Sequence, residues 1–232
     1  MTGNSENRIM PSWDRFPGET ASIRSMTRAD AERAARIDRD AFPDNVIHRY
    51  FRLDVSVRKF RWLASQGEAI ALVAAVGPHV AGYAYGYPRG VKSRMYPCLL
   101  RGIAKDACGM LLRGDALRLL RRLITTQKRG RKAKDSFADK LPPPFIELVS
   151  IAVARDFQEQ GLGAALLYSF EAKSAERGYR SAYLKARVDN GAAQGLYARR
   201  QWTTLLRTEE SIYFFKELQD DSGRTRYEGV PR

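Results

Sequence analysis

The stretch Phe145-Ile146-Glu147-Leu148-Val149-Ser150-Ile151-Ala152-Val153-Ala154-Arg155-Asp156-Phe157-Gln158-Glu159-Gln160-Gly161-Leu162-Gly163-Ala164 decides how this chain folds. Its first ten residues are almost continuously apolar, interrupted by Glu147 and Ser150. Such a run predicts a central strand. A polar turn with two glycines follows, then an Ala/Leu-rich helix over 162–177 closed by Gly178. Strand, glycine-containing turn and helix together suit an anion. Glycines let the backbone turn tightly and come close to a ligand. Free N–H groups and about half a positive charge at the helix N-terminus then hold a phosphate without any basic side chain. The same residues also fit a plain turn whose glycines serve close packing.

Outward from this stretch, strands and helices alternate. Downstream, 181–187 reads as a strand and 190–200 as a helix, capped by Asp189 or Asn190. Two strands follow, near 202–206 and 211–218. Upstream, 21–26 reads as a strand with Ile23 inward. Thr27 is the predicted cap of a helix that ends at Phe42-Pro43-Asp44. A second helical region over 45–65 has an imperfect period and suits either one helix or two pieces. The runs 69–76 and 80–87, joined by Gly77-Pro78-His79, predict an antiparallel hairpin. In its second strand Gly82, Ala84 and Gly86 alternate with Tyr83, Tyr85 and Tyr87, giving one small face and one aromatic face. The small face leaves room for a backbone or a ligand.

The chain has 232 residues and a formal net charge of +14. Hydrophobic content of 44% and charged content of 28% are those of a globular fold. Two cysteines and two histidines make a disulfide framework or a Cys/His zinc site improbable, so no metal is expected. The polar start lacks a signal peptide's apolar core, and no apolar run spans a bilayer, so the expected location is cytoplasmic. Residues 1–20 read as a loose leader and 219–232 as a disordered tail. The charge is concentrated: 89–140 holds 15 Lys+Arg and 4 Asp+Glu, a local net of +11. Within it, 109–126 has the period of an amphipathic helix, with Leu112, Leu119 and Leu123 on one stripe. Pro142-Pro143-Pro144 ends this segment as a stiff spacer.

Gln158-x-x-Gly161-x-Gly163 after an apolar strand resembles the acetyl-CoA signature of the GCN5-related N-acetyltransferases, the GNAT superfamily. Val188-x-Asn190-x-Ala192-Ala193, followed by Tyr197, resembles that family's second element. The order of elements matches as well, over roughly 21–218 apart from a basic helical insertion at 89–144. The resemblance implies a single α/β (α+β) domain with a mixed, largely antiparallel central sheet flanked by helices. It implies acetyl-CoA as cosubstrate and direct attack of an amine on the thioester. Backbone groups of Ile151, Ala152 and Val153 would meet the pantetheine arm. Backbone amides of Gln158, Glu159, Gln160, Gly161, Leu162, Gly163 and Ala164 would hold the pyrophosphate. Asn190 would contact the arm or organise the neighbouring backbone, and Tyr197 would protonate the leaving thiolate. Where the family has glycine after this tyrosine's helix, this chain has Gln201, followed by Trp202.

The chemistry also asks for a base, since a lysine-like amine has a pKa near ~10.4 in water. A carboxylate in a buried strand is costly unless used or paired, which singles out Glu147. Its bland reading is an exposed residue at a frayed strand start. His48 is the alternative base, and Ser150 reads as a residue satisfied by the backbone.

The favoured acceptor is the primary amine of a small molecule, an amino sugar or a nucleotide-linked one, because the strand resembles acetyltransferases of surface-polysaccharide amino sugars. A protein or peptide amine is the alternative. The basic segment has three readings. It caps the site over an anionic acceptor, it lies on a membrane through 109–134 at the inner face, or it packs on the domain or a second copy in a homodimer. A nucleic-acid-binding module is disfavoured, since only Tyr96 and Phe137 supply aromatic rings there. A non-catalytic acyl-CoA-binding fold is the remaining rival.

Overall fold

In the computed structural model the described residues are 20–95, 97–99, 137 and 141–218. The predicted leader up to residue 19, the tail 219–232 and the predicted helix over 109–126, with the 109–134 surface, lie outside them. One seven-stranded sheet organises the domain. Its strands are β1 (Ala21–Ser25), β2 (Ile70–Val76), β3 (His79–Tyr87), β4 (Phe145–Val153), β5 (Ser181–Arg187), β6 (Thr203–Arg207) and β7 (Ser211–Glu217). They run in the order β1-β2-β3-β4-β5-β7-β6. Only β4 and β5 are parallel, so the sheet is mixed and largely antiparallel, as expected.

Helices cover both faces. On one side α1 (Ala31–Ala41), α2 (Val46–Tyr50) and α3 (Leu53–Leu63) close a core with Phe60, Tyr83 and Tyr85 at its centre. On the other, α4 (Leu162–Glu176) packs Leu166 and Phe170 chiefly against β2, β3 and β4, and α5 (Gly191–Arg199) sets Tyr197 against Phe214 of β7. The hairpin's alternation sorts between these faces. The tyrosines go to the α1 side, where Tyr83 meets Phe60 edge-on at 5.0 Å. The small residues face α4. A Cβ on Gly86 would stand 2.3 Å from the Glu147 carbonyl oxygen and 2.5 Å from Phe170 Cζ. The small face therefore admits a neighbouring strand and a helix, and leaves no room there for a ligand.

One local expectation changes, and one open alternative is decided. The cap of α1 is Asp30 rather than Thr27. Thr27 instead donates its N–H and hydroxyl to Asp30 Oδ2, both at 2.7 Å, beside a two-pronged contact from Arg24. The region 45–65 is two helices, separated by extended Phe51 and Arg52. Arg39 of α1 holds that break by donating to the carbonyls of His48 and Phe51. A distant side chain, not local propensity, divides the helix.

The end of α5 explains the departure at Gln201. The Trp202 N–H reaches the Tyr197 carbonyl at 2.9 Å and the Gln201 N–H reaches that of Ala198 at 3.0 Å. This is a Schellman ending, completed by contact of the Trp202 and Tyr197 rings at 6.2 Å. It forces Gln201 to a φ of 60°, the left-handed region. Gly178 ends α4 in the same way at a φ of 80° without a Cβ penalty. Gln201→Gly should therefore stabilise the domain by about 1 kcal/mol, raising Tm by roughly 2–4 °C in a thermal melt.

Candidate functional site

β4 and β5 pair only from Phe145–Leu148 against Ser181–Leu184. Beyond that point β4 continues alongside β3 as far as Val153, while β5 turns to β7. The parting coincides with a bulge. Tyr85 faces Ser150 and Gly86 faces Leu148, so Val149 is an extra residue on β4. From Val149 to Val153 the edge of β4 that faces away from β3 has no strand partner among the described residues. Ile151, Ala152 and Val153 lie on this edge, where alternate residues present N–H and C=O groups to whatever enters the gap.

At the C-terminal end of β4 the chain makes a short 3-10 turn, Arg155–Phe157, and then reverses into α4. Glu159 at φ 62° and Gly161 at φ 78° are both left-handed. Gln158 braces the reversal by donating its amide to the Val153 carbonyl at 3.0 Å, and Gln160 is buried. Gly161 is the N-cap of α4 and offers no side chain to cap it. The N–H groups of Leu162, Gly163 and Ala164 therefore have neither an intrahelical nor an N-cap side-chain acceptor. At Gly163 an added Cβ would meet Leu196 and Val153 at ordinary contact distances of 3.8 and 3.9 Å, so alanine would fit there. Gly161 is different, because its φ calls for glycine.

The predicted site residues divide between the two faces of the sheet. Tyr197 packs on the α4 side, 5% exposed, with its ring against Trp202 and Phe214. Burial pushes its phenol up to about 12. Glu147 is on the opposite face, where its Oε2 accepts the Tyr183 hydroxyl at 2.8 Å. It is not frayed: it pairs with Tyr87 in β3 and Tyr183 in β5. Burial, and then the Glu147 charge, raises the Tyr183 phenol above its ordinary value. Asn190 caps α5, its side chain accepting the Ala193 N–H at 3.1 Å. Asp189 pairs with Arg187 instead.

His48, the alternative base, is buried, with Nδ1 2.7 Å from the Phe42 carbonyl and Nε2 3.0 Å from Asp38 Oδ2. Both ring nitrogens are engaged by the fold. Ser150 is satisfied by a side chain rather than by the backbone alone: its Oγ lies 2.8 Å from the Tyr83 hydroxyl. Asp38, Lys59 and Tyr83, which sequence reading passed over, form with His48 a buried polar cluster behind β4. Among the described residues no group of His, Cys, Asp and Glu could hold a metal ion, and no helix is long and apolar enough to cross a membrane.

A gap between parted parallel strands, with an uncapped helix N-terminus at its end, has the geometry to accept an extended, phosphate-bearing ligand. Residues 116–201 match the model of the acetyltransferase (GNAT) family. Solved structures agree in fold. PaiA N-acetyltransferase from Thermoplasma acidophilum, in complex with coenzyme A, is 10% identical, covering 85% of this chain and 99% of its own at a TM-score of 0.53. The ribosomal-protein-S18-alanine N-acetyltransferase from Escherichia coli is 16% identical over 90% of this chain and 99% of its own, also at 0.53. YncA from Salmonella typhimurium, with its cofactor acetyl-CoA, is 15% identical over 86% and 94% at 0.54. No curated protein matches the chain. The family match over 116–201 and the fold over most of the chain make it similar to the acetyl-CoA-dependent acyltransferases of the GNAT superfamily.

The cap at Asn190 has a measurable weight. Asn190→Ala should cost about 1 kcal/mol in denaturant unfolding, while Asn190→Asp, which caps equally well, should retain most of it.

Proposed function

We propose that the protein is an acetyl-CoA-dependent N-acetyltransferase for a primary amine. The carrying observation is the gap that opens between β4 and β5 after Leu148, with the free N–H groups of Leu162, Gly163 and Ala164 at its far end. The pyrophosphate of the cosubstrate rests on backbone amides from Gln158 to Ala164. The pantetheine arm lies along Ile151–Val153, and Asn190 shapes the neighbouring backbone as the cap of α5. Acetyl-CoA brings the activated acyl group. The protein supplies position and proton transfer.

Tyr197 and Glu147 divide that proton work across the sheet. Tyr197, on the α4 side, gives a proton to the departing thiolate. Glu147, on the α1 side, takes one from the attacking amine. The gap lets one reacting centre be served from both faces. A phenol raised to about 12 is protonated at neutral pH, as a donor must be. Activity that depends on Tyr197 as donor is then retained until the pH approaches 12.

The acceptor we favour is a small-molecule amine, an amino sugar or a nucleotide-linked one. Support comes from positive charge on the Glu147 side of the sheet, where the Arg89 guanidinium stacks 5.2 Å from the Phe145 ring. The described ends of the basic segment rest on this side too. Met95 and Leu99 pack on Phe51 and Val55, and Phe137 and Leu141 on Tyr183 and Tyr213. We place the protein in the cytoplasm, where acetyl-CoA is made available.

Acetyl-CoA at about 100 times its Kd should stabilise the protein by about 2.7 kcal/mol, visible as a rise in Tm. Gly161→Asp, which sets a carboxylate among the phosphate-binding amides, should abolish that rise. An unmoved Tm for the unaltered protein at millimolar acetyl-CoA would sink the cofactor reading. In thiol-release assays Tyr197→Phe and Glu147→Gln should each lower kcat by about 10²–10⁴-fold while leaving coenzyme A affinity unchanged. Unchanged turnover in either variant removes that residue from its role and favours a fold that binds the acyl carrier for another purpose.

A further inference from the structure

Behind β4 lies a buried hydrogen-bond chain that the acid and base leave unused. Asp38 of α1 is 2% exposed and Lys59 of α3 is 6% exposed. The Lys59 ammonium donates to Asp38 Oδ2 at 2.5 Å, His48 Nε2 lies 3.0 Å from the same oxygen, and the Tyr83 hydroxyl donates to Oδ1. Burial opposes the charge on Asp38, but the Lys59 ammonium and these hydrogen bonds outweigh it. They hold the carboxyl well below the usual carboxylate range. An ionised carboxylate only accepts. The one proton of Tyr83 is thereby committed to Asp38.

The consequence runs outward. The Tyr83 oxygen lies 2.8 Å from Ser150 Oγ and, having spent its proton, can only accept there. Ser150 must donate to it. A serine hydroxyl elsewhere rotates to suit its surroundings; this one is fixed, with its lone pairs as its remaining capacity. Tyr83 is fully buried, whereas Ser150 is half-buried. Ser150 is also the first residue after the extra Val149, where β5 has left β4.

We infer that Ser150 accepts an N–H of the attacking amine at the gap, with its lone pairs aimed there by the chain Ser150–Tyr83–Asp38. This rests on the acetyltransferase reading above. Ser150 touches the acceptor; Tyr83 and Asp38 are positioning residues. A neutral primary amine has two N–H groups, one to surrender to the base and one for Ser150. A secondary amine has one and an alcohol has a single O–H. The arrangement therefore selects primary amines.

A probe that carries its own nitrogen tests this without knowledge of the natural acceptor. Coenzyme A is linked through S–CH₂–CO to propylamine, giving an amide N–H, and a second probe carries N-methyl in place of that hydrogen. A hydrogen bond to Ser150 should make the unaltered protein prefer the N–H probe by roughly 3–10-fold in calorimetric titration. Ser150→Ala should erase the preference while plain coenzyme A binds as before. Ser150→Thr should restore it, and Tyr83→Phe should weaken it by releasing the serine proton. The double variant should lose no more than Ser150→Ala alone, because the two residues act as one unit. A preference that survives Ser150→Ala, or its absence in the unaltered protein, overturns the inference. So does an equal loss of plain coenzyme A affinity in Ser150→Ala, which would mark a structural serine. Failure of the unaltered protein to bind plain coenzyme A instead overturns the cofactor reading, and this inference with it.

Discussion

The separation of β4 from β5 after Leu148 sets the terms for everything around it. Two parallel strands normally satisfy each other's N–H and C=O groups along their length. Here the ladder stops after four pairs, and β4 runs on to Val153 with one edge unmatched. Backbone groups on that edge need a partner, and an extended molecule with amides of its own is a suitable one. The bulge at Val149 lies at the end of the ladder, where it adds local twist and bends the strand. The chain leaving β4 turns through Arg155–Phe157 and a reversal at 158–161, so the strand that offers the edge also leads into the helix N-terminus. Close packing keeps that helix in place: a Cβ at Gly82 would stand 3.2 Å from Leu166 Cδ1 and one at Gly86 2.5 Å from Phe170 Cζ, both side chains of α4.

The gap also reconciles the proposed acid, Tyr197, with the proposed base, Glu147, which share no face. Tyr197 belongs to the core between the sheet and α4, Glu147 to the side of α1 and α3. In a closed sheet they would be separated by a layer of backbone. With the strands parted, a ligand entering from the α4 side can present its reacting carbon to both. The basic segment falls into the same division. Its described ends rest on the Glu147 face, and the proposed phosphate site, at the α4 N-terminus, is made of backbone amides. The net charge of +14 therefore bears on the acceptor side of the domain more than on cofactor binding.

The elements that build this site were legible because their signals are local. An apolar run, two glycines and an Ala/Leu helix predict β4, its turn and α4, and the cap of α5 is narrowed to Asp189 or Asn190, of which Asn190 caps. What could not be read depends on contacts between distant residues. Whether 45–65 is one helix or two is left open by its period, and the break sits where Arg39 reaches the carbonyls of His48 and Phe51. His48 looks free in the sequence and is engaged in the fold. Gln201 stood out only as a departure from glycine, and its left-handed φ gives that departure its physical meaning. Asp38 and Lys59 did leave a trace. Asp38 follows Ala31 and Ala34 at helical spacing, and Lys59 lies midway between Val55 and Leu63. Opposite charges placed on the apolar stripes of two neighbouring helices predict a buried pair.

That pair needs a reason beyond stability. Moving a carboxylate and an ammonium out of water costs several kcal/mol per ion, and well-packed apolar residues of similar volume often serve stability equally well. Phe60 and Tyr85 already surround Lys59, its ammonium lying 4.5 Å and 5.4 Å from their ring centroids. An apolar exchange could pack there. It could not fix the direction of a hydrogen bond. A neutral group in place of Asp38 could donate as well as accept, and the Tyr83 and Ser150 hydroxyls would then be free to point either way. A buried carboxylate held ionised by Lys59 removes that freedom, since it leaves Tyr83 one direction and Ser150 one direction in turn. The charge inside the core thus acts at the surface of β4, where it determines which face of a hydroxyl the gap sees.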